Sequence, residues 1–175
     1  LTGITWERLE REDVVTYPCD SEDQPGHDII FENGYPTESG RAKLVPAKLI
    51  PPDELPDDDY PMVLTTGRVL EHWHTGAMTS RAGTLNTLEP EPVVSINPYQ
   101  MGEMGVGPGD LVRVASRRGQ LELKVRADRD VPDGMVFIPF CFTEAAANIL
   151  TNPAVDPYGK IPEFKFCAVK VERLG

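Results

Sequence analysis

GPGDLVRVASRRGQLELKVRA, residues 107–127, alternates apolar and polar side chains on both sides of a short basic break. A period of two sends successive side chains to opposite faces, as a strand with one buried face requires. Residues 111–116 (LVRVAS) and 120–127 (QLELKVRA) therefore read as two strands. Arg117-Arg118-Gly119 makes the hairpin between them, and Gly107-Pro108-Gly109-Asp110 the turn before them. Residues 61–66 (PMVLTT) form a β-branched run ended by Gly67, residues 92–97 (PVVSIN) another ended by Pro98, and residues 167–171 (CAVKV) a last one. The continuous apolar run of residues 135–140 (MVFIPF) predicts a buried strand. A helical turn is expected at residues 101–105, and the helix formers of residues 144–150 (EAAANIL) predict a helix that stops before Pro153. The total is about six strands with short helices between some of them, which indicates a small mixed barrel rather than a βαβ fold.

Residues 1–59 have a different texture. Residues 4–12 (ITWERLERE) suit one short helix or turn, after which Pro18, Pro25, Pro36, Pro46, Pro51, Pro52 and Pro56 forbid long helices and central strands. An extended arm is expected, with two short strands, one of them at residues 42–45. Trp6, Ile29, Ile30 and Phe31 would be exposed unless the arm packs on something else.

The 175 residues are enough for one domain with a core plus an arm. A net charge of −11 repels nucleic acid and anionic lipid, so an anionic ligand needs a local basic or amide-rich pocket. Asp57-Asp58-Asp59 reads as a solvated loop. Three cysteines, Cys19, Cys141 and Cys167, with no CxxC spacing exclude a disulfide framework, a zinc ribbon or an iron–sulfur cluster within this stretch. They fit a reducing compartment such as the cytoplasm, with the periplasm left open. No apolar run is long enough to span a bilayer, and the N-terminus lacks the pattern of a signal peptide. The start in mid-pattern, without an initiator Met, predicts a fragment of a longer chain.

The chemistry concentrates in TTGRVLEHWHTGAMT, residues 65–79. Two hydroxyls, a glycine and an arginine at a strand end suit an anion: amides approach at the glycine, hydroxyls donate, and the guanidinium fork pairs two phosphate oxygens. Thr75-Gly76 and Thr79-Ser80-Arg81 repeat these groups, and a pyrophosphate offers enough oxygens for both. Alone, Thr65-Thr66-Gly67-Arg68 is more often an ordinary strand exit. His72 and His74 would share a face in a strand and could ligate a metal, yet no third ligand is evident. Loop histidines bonding a heterocycle or phosphate over Trp73 fit better, level with a purely structural role. A nucleophilic pair of Cys141 with either histidine is disfavoured because Cys141 follows a buried strand. Neither GxGxxG nor GxxxxGK[ST] occurs, and no internal repeat is visible.

Four blocks in order carry a resemblance: residues 65–79, GPGDLVRVASRRG (107–119), IPFCFTEAAANILTNPAVDP (138–157) and YGKIPEFKFCAVKV (158–171). Together they resemble the C-terminal domain of the bis-molybdopterin guanine dinucleotide oxidoreductases, the dimethyl sulfoxide reductase superfamily. LEPEP (88–92) and the last two blocks look most like the formate dehydrogenase α subunit, with the periplasmic-type nitrate reductases as the alternative. The resemblance implies a mainly β fold with short helices, a six-stranded double-psi β-barrel over residues 60–175. Residues 1–59 become the tail of a preceding domain and a linker arm. It implies a bis-molybdopterin guanine dinucleotide cofactor carrying molybdenum or tungsten. Its contacts fall on Thr66, Gly67, Arg68, Glu71, His72, His74, Thr75, Phe140, Asn148 and Lys165. Metal ligand, catalytic residues and iron–sulfur clusters would lie in other parts of the chain, and the partners would be the remaining α-subunit domains and electron-transfer subunits. On this reading the whole enzyme oxidises formate to carbon dioxide, and the fragment alone is inactive. A rival of another class is a non-enzymatic barrel that recognises partners; it has no use for HWHTGAMT (residues 72–79).

Overall fold

The computed structural model describes all of residues 1–175 and divides into two compact units, Leu1–Leu49 and Ile50–Gly175. In the first unit the only regular element is helix α1 (Trp6–Glu12), capped where the Thr5 hydroxyl accepts the Arg8 amide at 3.3 Å. Arg8 is buried and organises the unit. Its guanidinium donates to the carbonyls of Gly3 at 2.9 Å and Gln24 at 2.8 Å, and to Glu12 at 3.0 Å. Cys19 is the one buried apolar residue here, while Trp6, Ile29, Ile30 and Phe31 are exposed. The strand expected at residues 42–45 does not form; that stretch has no pairing partner and no regular structure.

In the second unit six strands close a barrel: β1 (Met62–Gly67), β2 (Val93–Ile96), β3 (Leu111–Ala115), β4 (Gln120–Ala127), β5 (Met135–Pro139) and β6 (Cys167–Arg173). The order around it is β1-β5-β2-β4-β3-β6. β1 runs parallel to β5 and β2 parallel to β4, while the remaining four pairings are antiparallel. Exchanging β1 with β4, β2 with β5 and β3 with β6 leaves every neighbour and every pairing sense unchanged. The barrel thus has a twofold topology made of two interlocked three-strand halves, although its sequence has no repeat. Closure leaves no free sheet edge.

Leu64, Val94, Ile96, Val112, Val114, Val136, Ile138 and Val169 fill the interior with no exposed surface. Each contributes about 1.5–3 kcal/mol by leaving water. Two short helices lie between strands: α2 (Gly83–Leu88) and α3 (Pro98–Met104). Asn97 caps α3, with Pro98 in its first turn and Gly105 in the left-handed conformation at its end, the punctuation that makes a helix of these residues. The α2 sequence, GTLNTL, has weak helix propensity and went unread in the sequence. The helix expected at residues 144–150 shrinks to a 3₁₀ turn at Ala147–Ile149. Its alanines are spent on packing: Ala145, Ala147 and Leu150 point into the barrel core. A strap at Glu54 ties the arm-proximal chain to the barrel wall. Its carboxylate pairs with Arg117 at 2.8 Å and Arg118 at 2.7 Å and accepts the Ala168 amide at 3.0 Å. Burial opposes its charge, but those three donors outweigh burial and hold its pKa below the ordinary carboxylate value.

Candidate functional site: the exit of β1

β1 and β5 run side by side in the same direction, so both deliver their following loops to one end of the barrel. The loop after β1 spans residues 68–92 and the loop after β5 residues 140–166. Thr66 is buried, its hydroxyl donating to the Phe164 carbonyl at 2.9 Å. Gly67 lies against the Phe137 ring; an added Cβ would stand 2.5 Å from Phe137 Cε2 and would have to push the ring aside. The Gly67 carbonyl accepts the Phe140 amide at 3.1 Å, and Lys165 Nζ donates to the Thr66 carbonyl. Four of the residues singled out in the sequence, Thr66, Gly67, Phe140 and Lys165, are thereby brought together by direct bonds.

Arg68 is exposed, and its Nη2 lies 3.5 Å from His74 Nδ1. His74 has a left-handed backbone, φ +49°, which costs a non-glycine residue on the order of 1 kcal/mol. Residues 72–74 form a loop, so the two histidines diverge. His72 is buried with Phe142 edge-on at 5.6 Å, whereas Trp73 is exposed and meets the His74 ring at 4.4 Å. Gly76, at φ +73°, sits where a Cβ would lie 2.7 Å from Ser80 Oγ and 2.9 Å from the Cys141 carbonyl. The two loops touch there. Between them opens a cavity of about 370 Å³, lined by Thr75, Gly76, Ser80, Arg81, Asn86, Cys141, Phe142, Thr143 and Glu144 among others. Thr75 is exposed at its edge, and Glu71 is half-buried with no bonded partner. Asn148 stands on the Ala147–Ile149 turn, exposed, with no hydrogen bond to the rest of the set.

Half of the basic side chains of the barrel unit are neutralised: Arg113, Arg117, Arg118, Lys124, Arg126 and Lys170 each pair with a carboxylate. Arg68, Arg81 and Lys165 have no acidic partner, and neither have Arg129, Lys160 and Arg173; Arg68, Arg81 and Lys165 stand on the two loops described above. Unpaired cations beside glycine turns and free hydroxyls suit a phosphate-bearing ligand. Burial pushes the Cys141 thiol up to about 11, so it is a neutral wall of the cavity and not a nucleophile. Arg81 stood in the sequence reading only as a repeat of the Thr66–Arg68 chemistry. Asn86, Thr143 and Glu144 gave no signal, because only folding sets them around the cavity.

The second unit is thus a closed mixed barrel whose parallel strands β1 and β5 open side by side into two long, hydroxyl-bearing loops. The chain belongs to the molydopterin dinucleotide binding domain family, whose model matches residues 62–168. The F420-dependent formate dehydrogenase subunit alpha of Methanocaldococcus jannaschii is 45% identical over 172 residues, covering 98% of this chain and 25% of that one. The periplasmic nitrate reductase of Desulfovibrio desulfuricans is 33% identical over 186 residues, with the same two coverages. The chain spans 25% of the length of these curated relatives. Acetylene hydratase from Pelobacter acetylenicus shares the fold, with a TM-score of 0.59 and 20% identity over 66% of this chain and 18% of that one.

Proposed function

We propose that this chain is the cofactor-holding domain of a molybdenum- or tungsten-dependent formate dehydrogenase α subunit. The barrel unit would grip a bis-pterin guanine dinucleotide at the β1 exit, with residues 1–59 the tail of a preceding domain and a linker, and residues 60–175 the binding barrel. When bound, that group supplies the two-electron redox chemistry; this chain's residues bind and orient it. Arg68, Lys165 and Thr75 offer donors to the phosphates, His74 and Asn148 offer polar edges, and the Glu71 carboxylate can accept from the N–H edge of a guanine or pterin. Thr66, Gly67 and Phe140 shape the exit, and His72 supports the loop from below. The observation that carries the reading is Arg68 at the exit of β1, without an acidic partner and with its Nη2 3.5 Å from His74 Nδ1.

The higher identity to the formate enzyme, 45% against 33%, favours formate over nitrate as substrate. Other α-subunit domains and electron-transfer subunits complete the proposed enzyme, in the cytoplasm. The three cysteines are all free, and no helix is long and apolar enough to cross a membrane. The test is Arg68→Ala in the full chain, reading metal and pterin content together with formate turnover. Unchanged content and turnover would sink the assignment, and turnover with nitrate instead of formate would move it to the alternative reductase.

A further inference from the structure

The loop of residues 68–92 holds His74 in a left-handed conformation and sets it beside Arg68, so something must hold the loop. The holding group is a chain of hydrogen bonds around His72. His72 Nε2 lies 3.1 Å from the Glu89 carbonyl, which can only accept, so Nε2 carries the proton. Nδ1 then accepts from the Thr79 hydroxyl at 3.3 Å, and the same Thr79 oxygen accepts the Trp73 amide at 3.0 Å. The two His72 ring nitrogens, the Thr79 hydroxyl, the Trp73 amide and the Glu89 carbonyl are all satisfied in this arrangement and in no other tautomer. His72 is 2% exposed, so water cannot substitute for a lost partner. Glu89 is itself anchored: its side chain is buried, and Arg126 Nη2 of β4 lies 2.8 Å from Oε1, held by charge without hydrogen-bond alignment. The latch therefore spans the loop from Trp73 to Glu89 and ends on the barrel wall.

We propose that Thr79 is a positioning residue: with the Glu89 carbonyl it fixes His72 as the neutral Nε2–H tautomer, and this latch sets the Arg68–His74 pair for its ligand. The assignment of that ligand rests on the reading above; the latch itself does not. Thr79 reaches the ligand only through His72 and the Trp73 amide.

The experiment uses the full chain labelled with ¹⁵N-histidine. Nitrogen NMR of the His72 ring is expected to show Nε2 protonated and Nδ1 bare at neutral pH. Thr79→Val should mix the tautomers and lower pterin and metal content about tenfold, as losing one buried bond predicts, while Thr79→Ser, which keeps the hydroxyl, restores both. An Nδ1–H or doubly protonated His72 in the wild type overturns the proposal. So does wild-type cofactor content in Thr79→Val, or a Thr79→Ser variant as defective as the valine. If Thr79→Val does not fold, the wild-type tautomer and the serine variant still decide. If the wild-type chain carries no pterin, the cofactor reading falls and the ring spectrum alone decides the latch.

Discussion

The two halves of the barrel are topological equals and chemical opposites. Leu64 of β1 faces Val136 of its parallel partner β5, and Val125 of β4 faces Val94 of its parallel partner β2; all four are buried. Counted from Leu64 and from Val125, Arg68 and Arg129 stand equally far along, one at each strand exit. Yet the chain after β1 runs through residues 68–92 before it returns as β2, while the chain after β4 turns back within residues 128–134 as β5. Arg68 meets His74 at the mouth of a loop pair with a cavity; Arg129 is exposed on a short turn without a bonded partner. Strand pairing therefore decides where a loop emerges, and loop length and chemistry decide whether a site forms there.

The largest expected effect is one that breaks both halves. Leu64→Ala, at a position with no exposure, should cost about 2–5 kcal/mol in chemical denaturation, because β1 seals the barrel against β5 and β6 together. A loss below about 1 kcal/mol would mean that the closed interior is not the source of stability. Next comes the test that separates the halves. Arg68→Ala should lower cofactor content roughly 10–100-fold, the worth of a charged hydrogen bond, without moving the melting temperature by more than a few degrees. Smaller again is Glu54→Gln, which leaves the strap in place but removes its charge, and should cost about 1–2 kcal/mol at neutral pH. The pH dependence follows from the direction of its shift. A carboxylate held below its ordinary value of 4.5 contributes its full stability above that pH. The contribution is lost as the pH falls below 4.5 through the lowered folded value, so wild type and Glu54→Gln should converge in acid melts. The smallest effect belongs to Arg129→Ala, within about 0.5 kcal/mol and with wild-type cofactor content. A cofactor loss there equal to that of Arg68→Ala would erase the distinction between the two exits.

Much of the barrel was legible because its signals are local. The alternation of LVRVAS and QLELKVRA returns as β3 and β4, with Val112, Val114, Leu123 and Val125 inward. The continuous MVFIPF run returns as β5, between β1 and β2. Residues 144–150 misled because their alanines signal a helix while their burial serves the core, and packing overrode propensity. Helix α2 was missed for the opposite reason: a weak local preference stabilised by neighbours. His72 and His74 look alike in the sequence, but one is buried with both ring nitrogens bonded and the other is turned outward on a left-handed backbone.

By itself the sequence determined the six barrel strands, the hairpin, the place of the loop that carries Arg68, the two histidines and the hydroxyls, and, through four ordered blocks, the family, since periodicity, glycines and short motifs act within a few residues. The tertiary structure alone decided the twofold strand order, the meeting of Gly76 with Cys141, the inward turn of His72 and the isolation of Arg68 from every carboxylate. Those features depend on pairings between residues far apart in the chain, which carry no local mark until the barrel closes.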